Sequence, residues 1–176
     1  MKNNKLFIFL LISGIILSQS CENKKQQTLF TTIMKTSKGD IRGINLNSDI
    51  NTVRELETKE PDSISDNYLF YNILVPEKYS QIKIEYNFDE NGLYSANISV
   101  KILNPDSLKA LQTLDTLQSK IKKLFTKKHG NPFELTKDIL IWNYSSESGT
   151  DASVQLINNT KIENIPSLEI LLQAEV

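Results

Sequence analysis

Apolar and polar residues alternate strictly along two adjacent stretches of the chain. Apolar residues take every second position from Ile82 to Phe88, and the same alternation runs from Tyr94 to Ile102. Strict alternation is typical of antiparallel strands with one buried face and one face in water. Residues 89–92 end in Asn-Gly, which predicts a hairpin turn because this pair readily adopts positive φ. The polar face of the hairpin is expected to carry Lys83, Glu85, Asn87, Asn97, Ser99 and Lys101.

Helical patterns precede this hairpin and follow it. A short helix is predicted after residues 47–49, and a long helix begins at Asn104 and Pro105 and ends before Gly130. The apolar stripe of the short helix is Ile50, Val53 and Leu56. The apolar stripe of the long helix is Leu111, Leu114, Leu117, Ile121 and Leu124. Further strands are predicted at 68–75, 139–144, 152–158 and 168–174.

The predicted order is therefore helix, three strands, helix, three strands. This order favours the α+β class, with antiparallel sheet meanders and helices on one face. We expect a single α+β domain over residues 39–176, built of two similar halves at about 39–103 and 104–176. The polar stretch 22–38 is interpreted as a tether leading into an edge strand.

The first 20 residues have the order of a secretory leader. Lys2 and Lys5 precede an apolar run of 12 residues, 6–17, and the small residue Ser20 comes directly before Cys21. A membrane-spanning helix needs about 20 apolar residues, so the run indicates a signal peptide at 1–20 that is removed after export. Cys21 is the only cysteine in the chain.

A cysteine at the end of such a leader resembles the bacterial lipoprotein signal family. The resemblance implies cleavage between Ser20 and Cys21 and acylation of Cys21, so that residues 21–38 are the lipidated N-terminus and a flexible tether. Ser18 stands where this family usually has leucine. The loose motif and the composition rich in Asn, Lys and Ile are similar to lipoproteins of Bacteroidota. The implied location is the outer membrane, with the domain facing the periplasm.

Two short segments carry a second resemblance. Residues 43–53 and residues 128–132, the latter followed by the Trp142 strand, are similar to helix-flanking motifs of small exported domains of the BamE and beta-lactamase-inhibitor-protein type. Asn47 and His129 depart from the usual Gly and Tyr. This resemblance implies a fold in which helices pack on an antiparallel sheet, and a family whose members bind other proteins.

The amino-acid composition limits which partners, cross-links and metal sites this protein can have. A formal net charge of −1 gives no strong attraction for nucleic acid, so no nucleic-acid partner is expected. A lone cysteine excludes disulfides within the domain, and one histidine makes a structural zinc site implausible. We therefore expect no metal and no cofactor. Lys120, Lys122, Lys123, Lys127 and Lys128 complement the negative end of the long helix, and attraction to anionic lipid is the alternative.

Three short motifs of Asp, a hydroxyl residue and an apolar residue match the O-glycosylation acceptor pattern of Bacteroidota. Their acceptor hydroxyls are those of Ser63, Ser107 and Thr116. Asp-Ser is also ordinary chemistry for the start of a helix, so both interpretations stay open at this point.

These observations favour a membrane-anchored, non-enzymatic binding or adaptor module of the cell envelope. Its expected partners are membrane lipid, through acylated Cys21, and a protein or envelope component. One alternative is an inhibitor or immunity lipoprotein that acts against a lysozyme or toxin. A small periplasmic hydrolase built on His129 is the other alternative, but no serine or carboxylate is placed beside this imidazole by the sequence.

Overall fold

The alternating stretches form β-strands in the computed structural model, which describes residues 28–175. The strands are β1 (Ser63–Ser65), β2 (Tyr68–Val75), β3 (Ser80–Asp89), β4 (Gly92–Ile102), β5 (Phe133–Thr136), β6 (Ile139–Ser145), β7 (Asp151–Asn158) and β8 (Ser167–Ala174). They pair in one antiparallel sheet in the order β1-β2-β3-β4-β8-β7-β6-β5. Each half of the sheet is a four-stranded meander, and β4 pairs with β8 where the halves meet.

The helices of the described part are α1 (Leu29–Met34), α2 (Ile50–Leu56), α3 (Ser107–His129) and α4 (Thr160–Glu163). A single 3₁₀ turn, Pro76–Lys78, joins β2 to β3. The helix α2 precedes the first meander and α3 precedes the second. The long helix α3 contacts β4, β6 and β8, so it crosses the middle of the sheet.

The core lies between one face of the sheet and α1, α2 and α3. Since side chains alternate along a strand, every second residue of β3, and of β4 from Ala96 to Ile102, enters this core. From α3 the core receives Ala110, Leu114, Leu117, Ile121 and Phe125. Full burial of an aliphatic side chain stabilises the fold by about 1.5–3 kcal/mol, which makes this helix–sheet interface the main source of stability.

An antiparallel sheet with helices is therefore confirmed, but the predicted number of strands per half is wrong. Each half has four strands, because β1 and β5 add short edges to the sheet. All residues of both edge strands are exposed, and the alternation in Ser-Ile-Ser and Phe-Glu-Leu-Thr is too short to indicate a strand. The helices α1 and α4 were also not predicted.

The segment interpreted as a tether leading into an edge strand forms α1 instead. Thr28 caps this helix, and its side-chain oxygen accepts a hydrogen bond from the Thr31 amide. Leu29, Ile33 and Met34 enter the core, with Ile33 fully buried. The prediction is wrong for residues 29–34, because three apolar residues at helical spacing outweigh the polar composition. Residues 1–27, with Ser20 and Cys21, lie outside the described residues.

A β-bulge changes which residues of β4 are buried. The register between β3 and β4 shifts between Asn87 and Phe88. Leu93 is consequently buried and Tyr94 is exposed, whereas the alternation placed Tyr94 on the covered face. An extra residue in one strand moves the side chains beyond it to the opposite face, and a period-two pattern cannot show it.

The start and the stripe of α3 also differ in detail from the prediction. Asp106 caps the helix, accepting from the Leu108 and Lys109 amides, where Asn104 was expected. Leu111 is exposed, and Phe125 rather than Leu124 is fully buried. Asp106 is favoured as the cap because Pro105 cannot donate a backbone hydrogen bond and suits the turn before the helix.

Gly92 sits at a close approach of two loops, and we expect its replacement to be costly. It has a φ of 109°, and a Cβ there would come within 2.5 Å of the Asn47 carbonyl oxygen. Gly149 has a φ of 81° but open space around it. Urea unfolding should therefore show a cost of about 1 kcal/mol for Gly149→Ala and at least about 2 kcal/mol more for Gly92→Ala. Equal costs would contradict the close contact.

Candidate functional site

The face of the sheet opposite the core is not covered by α1, α2 or α3. Cross-strand partners share a face, so the pairing fixes which residues lie together. One row crosses from β2 to β5 on this open face, through Phe70, Glu85, Asn97, Leu171, Gln155, Ile141 and Phe133. The predicted polar face of the β3–β4 hairpin, with Lys83 opposite Ser99 and Lys101 opposite Gln81, is confirmed as part of it.

The β5–β8 half of the open face carries an apolar patch. Ile139 pairs with Ile157, and Phe133 pairs with Ile141. Phe133 is 63% exposed, which is unusual for so large an apolar side chain. We use the name apolar patch for Phe133, Ile139, Ile141, Ile157 and Leu171. Contiguous exposed apolar residues with a polar surround mark interaction sites on protein surfaces.

A polar basin of about 230 Å³ borders this patch. Its lining residues are Lys83, Glu85, Asn97, Ser99, Lys101, Asn159, Glu163 and Glu169. The Glu169 carboxylate accepts hydrogen bonds from the side-chain amides of Asn97 (2.8 Å) and Asn159 (2.9 Å). The open face thus combines an apolar area with a charged border.

Some charges of the polar basin are compensated and others are not. Lys101 and Glu163 form an ion pair of 2.9 Å between β4 and α4. Within residues 28–175, Lys83 and Glu85 have no ion-pair partner. The Lys83 ammonium and the Glu85 carboxylate are therefore available to a binding partner.

A buried ionic cluster lies on the other side of the sheet. The Arg42 guanidinium donates to both carboxylate oxygens of Glu57, at 2.8 and 2.9 Å, and the Tyr86 hydroxyl donates to Glu57 at 2.6 Å. Arg42 also donates to the Thr32 carbonyl of α1, 2.8 Å away. Burial opposes the charge on Glu57, but the bonds from Arg42, Lys35 and Tyr86 lower its pKa to about 2. The cluster joins three parts of the fold: helix α1, strand β3 and the segment that follows α2. Its role is therefore structural.

No sequence pattern predicted this cluster. Arg42 lies outside every predicted helix and strand, and it has a φ of 55° and a buried side chain. Glu57 directly follows the last residue of α2, and only Tyr86 had been placed on the buried face of a strand. A buried guanidinium and carboxylate of this kind are recognised only once the fold brings them together.

His129 lies at the end of α3, packed among aromatic rings. Its ring centroid is 3.8 Å from that of Tyr144 and 6.0 Å from that of Phe125. Within the described residues, neither His129 Nε2 nor the Tyr144 hydroxyl has a hydrogen-bond partner. The gap beside Asp40, Phe125 and Lys128 has no room for a water molecule. This surrounding suits a neutral, packed imidazole.

The environment of His129 leads to a pH prediction. Burial and the nearby Lys128 ammonium lower its pKa to about 4, against the opposing effect of Asp40. The unfolded chain takes up a proton near pH 6.5, so the stability from neutral His129 is present above that pH and is lost as the pH falls to 4. For this partly exposed group we expect a loss of about 1–2 kcal/mol.

The matched comparison is His129→Phe, which keeps the aromatic packing and removes the titration. Urea unfolding of both proteins at pH 7, 6, 5 and 4 should show a smaller loss for the variant between pH 6.5 and 4. Parallel curves over this interval would contradict the lowered pKa, and an NMR titration of the imidazole measures it directly.

The remaining predicted site residues are scattered over the molecule. Ser63 is exposed in β1, Ser107 is exposed at the first turn of α3, and Thr116 lies further along α3. The Thr116 hydroxyl donates to the Gln112 carbonyl at 2.8 Å. Their glycosylation stays a prediction, as do the cleavage at Ser20 and the acylation of Cys21. Trp142 is buried, and its indole N–H donates to the Gly130 carbonyl at 3.1 Å.

Comparison with protein-family models, with curated proteins and with solved structures gives no match for this chain. None of the described helices has the length and apolar character needed to cross a membrane. In the part of the chain that the structure describes, no three His, Cys, Asp or Glu side chains converge as metal ligands.

Proposed function

We propose that this protein is a lipid-anchored, non-enzymatic binding module of the bacterial cell envelope, which holds a protein partner on the open face of its sheet. The observation that carries the proposal is the apolar patch. Five apolar side chains, of which Phe133 is exposed and the other four are half-buried, lie on a face that no long helix covers, beside a basin with uncompensated charges.

The chemistry of this face suits a protein partner better than a small molecule. An apolar area with a charged border is the usual anatomy of protein interfaces, in which the apolar centre provides affinity and the border provides specificity. Lys83 and Glu85 lie two residues apart on β3, so the border presents both signs of charge. A partner with a complementary pair of charges is favoured.

The location in this proposal rests on the leader. Residues 6–17 and Cys21 have the order of a lipoprotein signal, and acylation at Cys21 would hold the domain at the outer membrane, facing the periplasm. An inhibitor or immunity lipoprotein would be one form of such a module, with a lysozyme or toxin as the partner.

The proposal is tested by co-purification from detergent-solubilised envelopes, with mass spectrometry of the N-terminal peptide. We expect an acylated Cys21 and a protein that is enriched with the native chain but not with Phe133→Glu. A Cys21→Ala chain controls for the anchor. An unmodified thiol would overturn the location, and the same co-purifying proteins with and without Phe133→Glu would overturn the binding face.

A further inference from the structure

Four lysines form a row along one side of α3. Lys120, Lys123 and Lys127 follow at intervals of three and four residues, and Lys109 continues the row three turns earlier. Residues at this spacing lie above one another on a helix. Thr116 lies in the row between Lys109 and Lys120, and Asp106, one turn before Lys109, pairs with Lys109 at 3.3 Å, whereas no acidic residue lies in the row between Lys109 and Lys127. We call these four lysines the basic stripe.

The five lysines at the end of α3 divide into two groups in the structure. Lys122 pairs with Glu134 at 3.2 Å, and the Lys128 ammonium donates to the backbone carbonyl of Gly39. Within residues 28–175, Lys120, Lys123 and Lys127 are exposed and make no ion pair. The attraction of lysines to the negative C-terminal end of a helix is lost beyond the last turn. Lys120 lies more than two turns before the end of α3, so this attraction does not explain it.

The basic stripe borders α1, the first described helix. A cleft of about 420 Å³ separates the two helices, and Leu29 and Phe30 of α1 face Lys109 and Lys120 across it. The chain enters α1 from Thr28, seven residues after Cys21. Seven residues span at most about 25 Å, so a membrane anchor at Cys21 would keep α1 and the stripe close to the lipid surface.

We infer that the basic stripe and α1 form a membrane-facing surface, on which the lysine ammonium groups contact the phosphates of anionic phospholipids. The inference rests on the proposed anchor at Cys21 and adds an orientation to it. The anchor supplies a high local concentration, so weak contacts from a few lysines suffice. Each lysine near an anionic surface strengthens binding about fivefold.

This orientation fits the layers of the fold. The helices α1 and α3 lie on the core side of the sheet, and the apolar patch lies on the opposite side. With the helices against the membrane, the open face points away from it and is accessible to a protein partner. A stripe facing away from the membrane would instead turn the apolar patch toward the lipid headgroups.

The test places a nitroxide label on each side of the acylated protein in vesicles. Thr116→Cys reports from the basic stripe and Asn143→Cys from the open face; both are exposed polar positions, and acylated Cys21 does not react. The vesicles contain phosphatidylcholine alone or with 30 mol% phosphatidylglycerol (roughly the anionic charge of a bacterial membrane), and a headgroup-chelated nickel ion measures proximity. We expect a strong nickel effect at 116 with phosphatidylglycerol, reduced by high salt, and a weak effect at 143 in both vesicles.

A charge-reversal variant supplies the second measurement. Lys120→Glu/Lys123→Glu/Lys127→Glu should abolish the nickel effect at 116, whereas Lys78→Glu/Lys137→Glu/Lys161→Glu, with the same net charge, should preserve it. For the chain without acyl groups, the first variant should lower the partition constant for phosphatidylglycerol vesicles about 100-fold or more. Circular dichroism confirms that both variants fold.

The outcomes separate the inference from the proposed function. If the acylated protein inserts into vesicles but label 116 stays remote from the nickel, the stripe does not face the membrane, and the anchor stands. If Cys21 proves to be a free thiol, the anchor fails. In that case, equal vesicle binding by the two charge-reversal variants overturns the stripe as well.

Discussion

Replacing Glu57 with alanine is expected to lower the free energy of unfolding by about 3–5 kcal/mol, because it leaves the buried Arg42 guanidinium without its counter-charge. The Arg42 and Glu57 side chains are 1% and 3% exposed, so water cannot take over the lost bonds. The Tyr86 hydroxyl would lose its acceptor as well. Urea unfolding at pH 7 measures the cost.

The matched control is Glu60→Ala. Glu60 pairs with Arg54 at 3.5 Å, but its side chain is 87% exposed, so we expect a cost below about 0.5 kcal/mol. A double replacement, Arg42→Met with Glu57→Leu, should recover much of the stability, because it removes both charges together. Equal costs for Glu57→Ala and Glu60→Ala would show that the buried pair is not needed.

The Glu57 carboxylate is expected to cause a second loss of stability in acid, in addition to that caused by His129. The pKa of Glu57 is lowered to about 2 from an ordinary value of 4.5. Its contribution to stability is therefore full above pH 4.5 and is lost as the pH falls toward 2. This interval lies below that of His129, so a stability profile from pH 7 to 2 should separate the two groups. In Glu57→Ala only the lower step should disappear.

Phe133→Glu and Leu171→Glu are expected to weaken partner binding by about 30-fold or more each, since placing a charge where a large apolar side chain is buried in an interface costs about 2 kcal/mol or more. Phe133, on the edge strand β5, and Leu171, on β8, lie at opposite borders of the apolar patch. Calorimetry with the partner recovered from envelopes gives the affinities.

Leu74→Glu is the control for this experiment. Leu74 lies on the same open face and is 63% exposed, the same fraction as Phe133, but it sits on β2, away from the apolar patch. We expect its variant to bind nearly as the native chain does. Equal losses for Leu74→Glu and Phe133→Glu would show a general effect of charge on the face and would contradict the patch.

The fold was predictable where one face of an element is buried and the other is wet. The alternation in β3 and β4 and the apolar stripe of α3 placed these elements within one or two residues of their observed bounds. The edge strands β1 and β5 were missed because they bury no residue. The pairing of β4 with β8 joins residues about seventy positions apart, and no local pattern specifies it.

The candidate site was only half predictable. Lys83 and Lys101 were assigned to a wet face by alternation alone, which identified the polar basin. The apolar patch was missed, although β6 begins Ile-Leu-Ile-Trp and β8 contains Ile-Leu-Leu, which are apolar on both faces. Such runs are typical of strands that are covered on both faces of the sheet. The buried Arg42–Glu57 pair needed the fold itself, since it joins separate elements.

The most direct test of the central claim, that the open face of the sheet holds an envelope protein, is photo-crosslinking in intact cells. A photoreactive phenylalanine analogue replaces Phe133 on the open face or Leu108 on α3, two exposed positions on opposite sides of the sheet. We predict one protein adduct from position 133 that disappears when Leu171→Glu is added, and no such adduct from position 108. The same adducts from both positions, or none from 133, would contradict the proposed function.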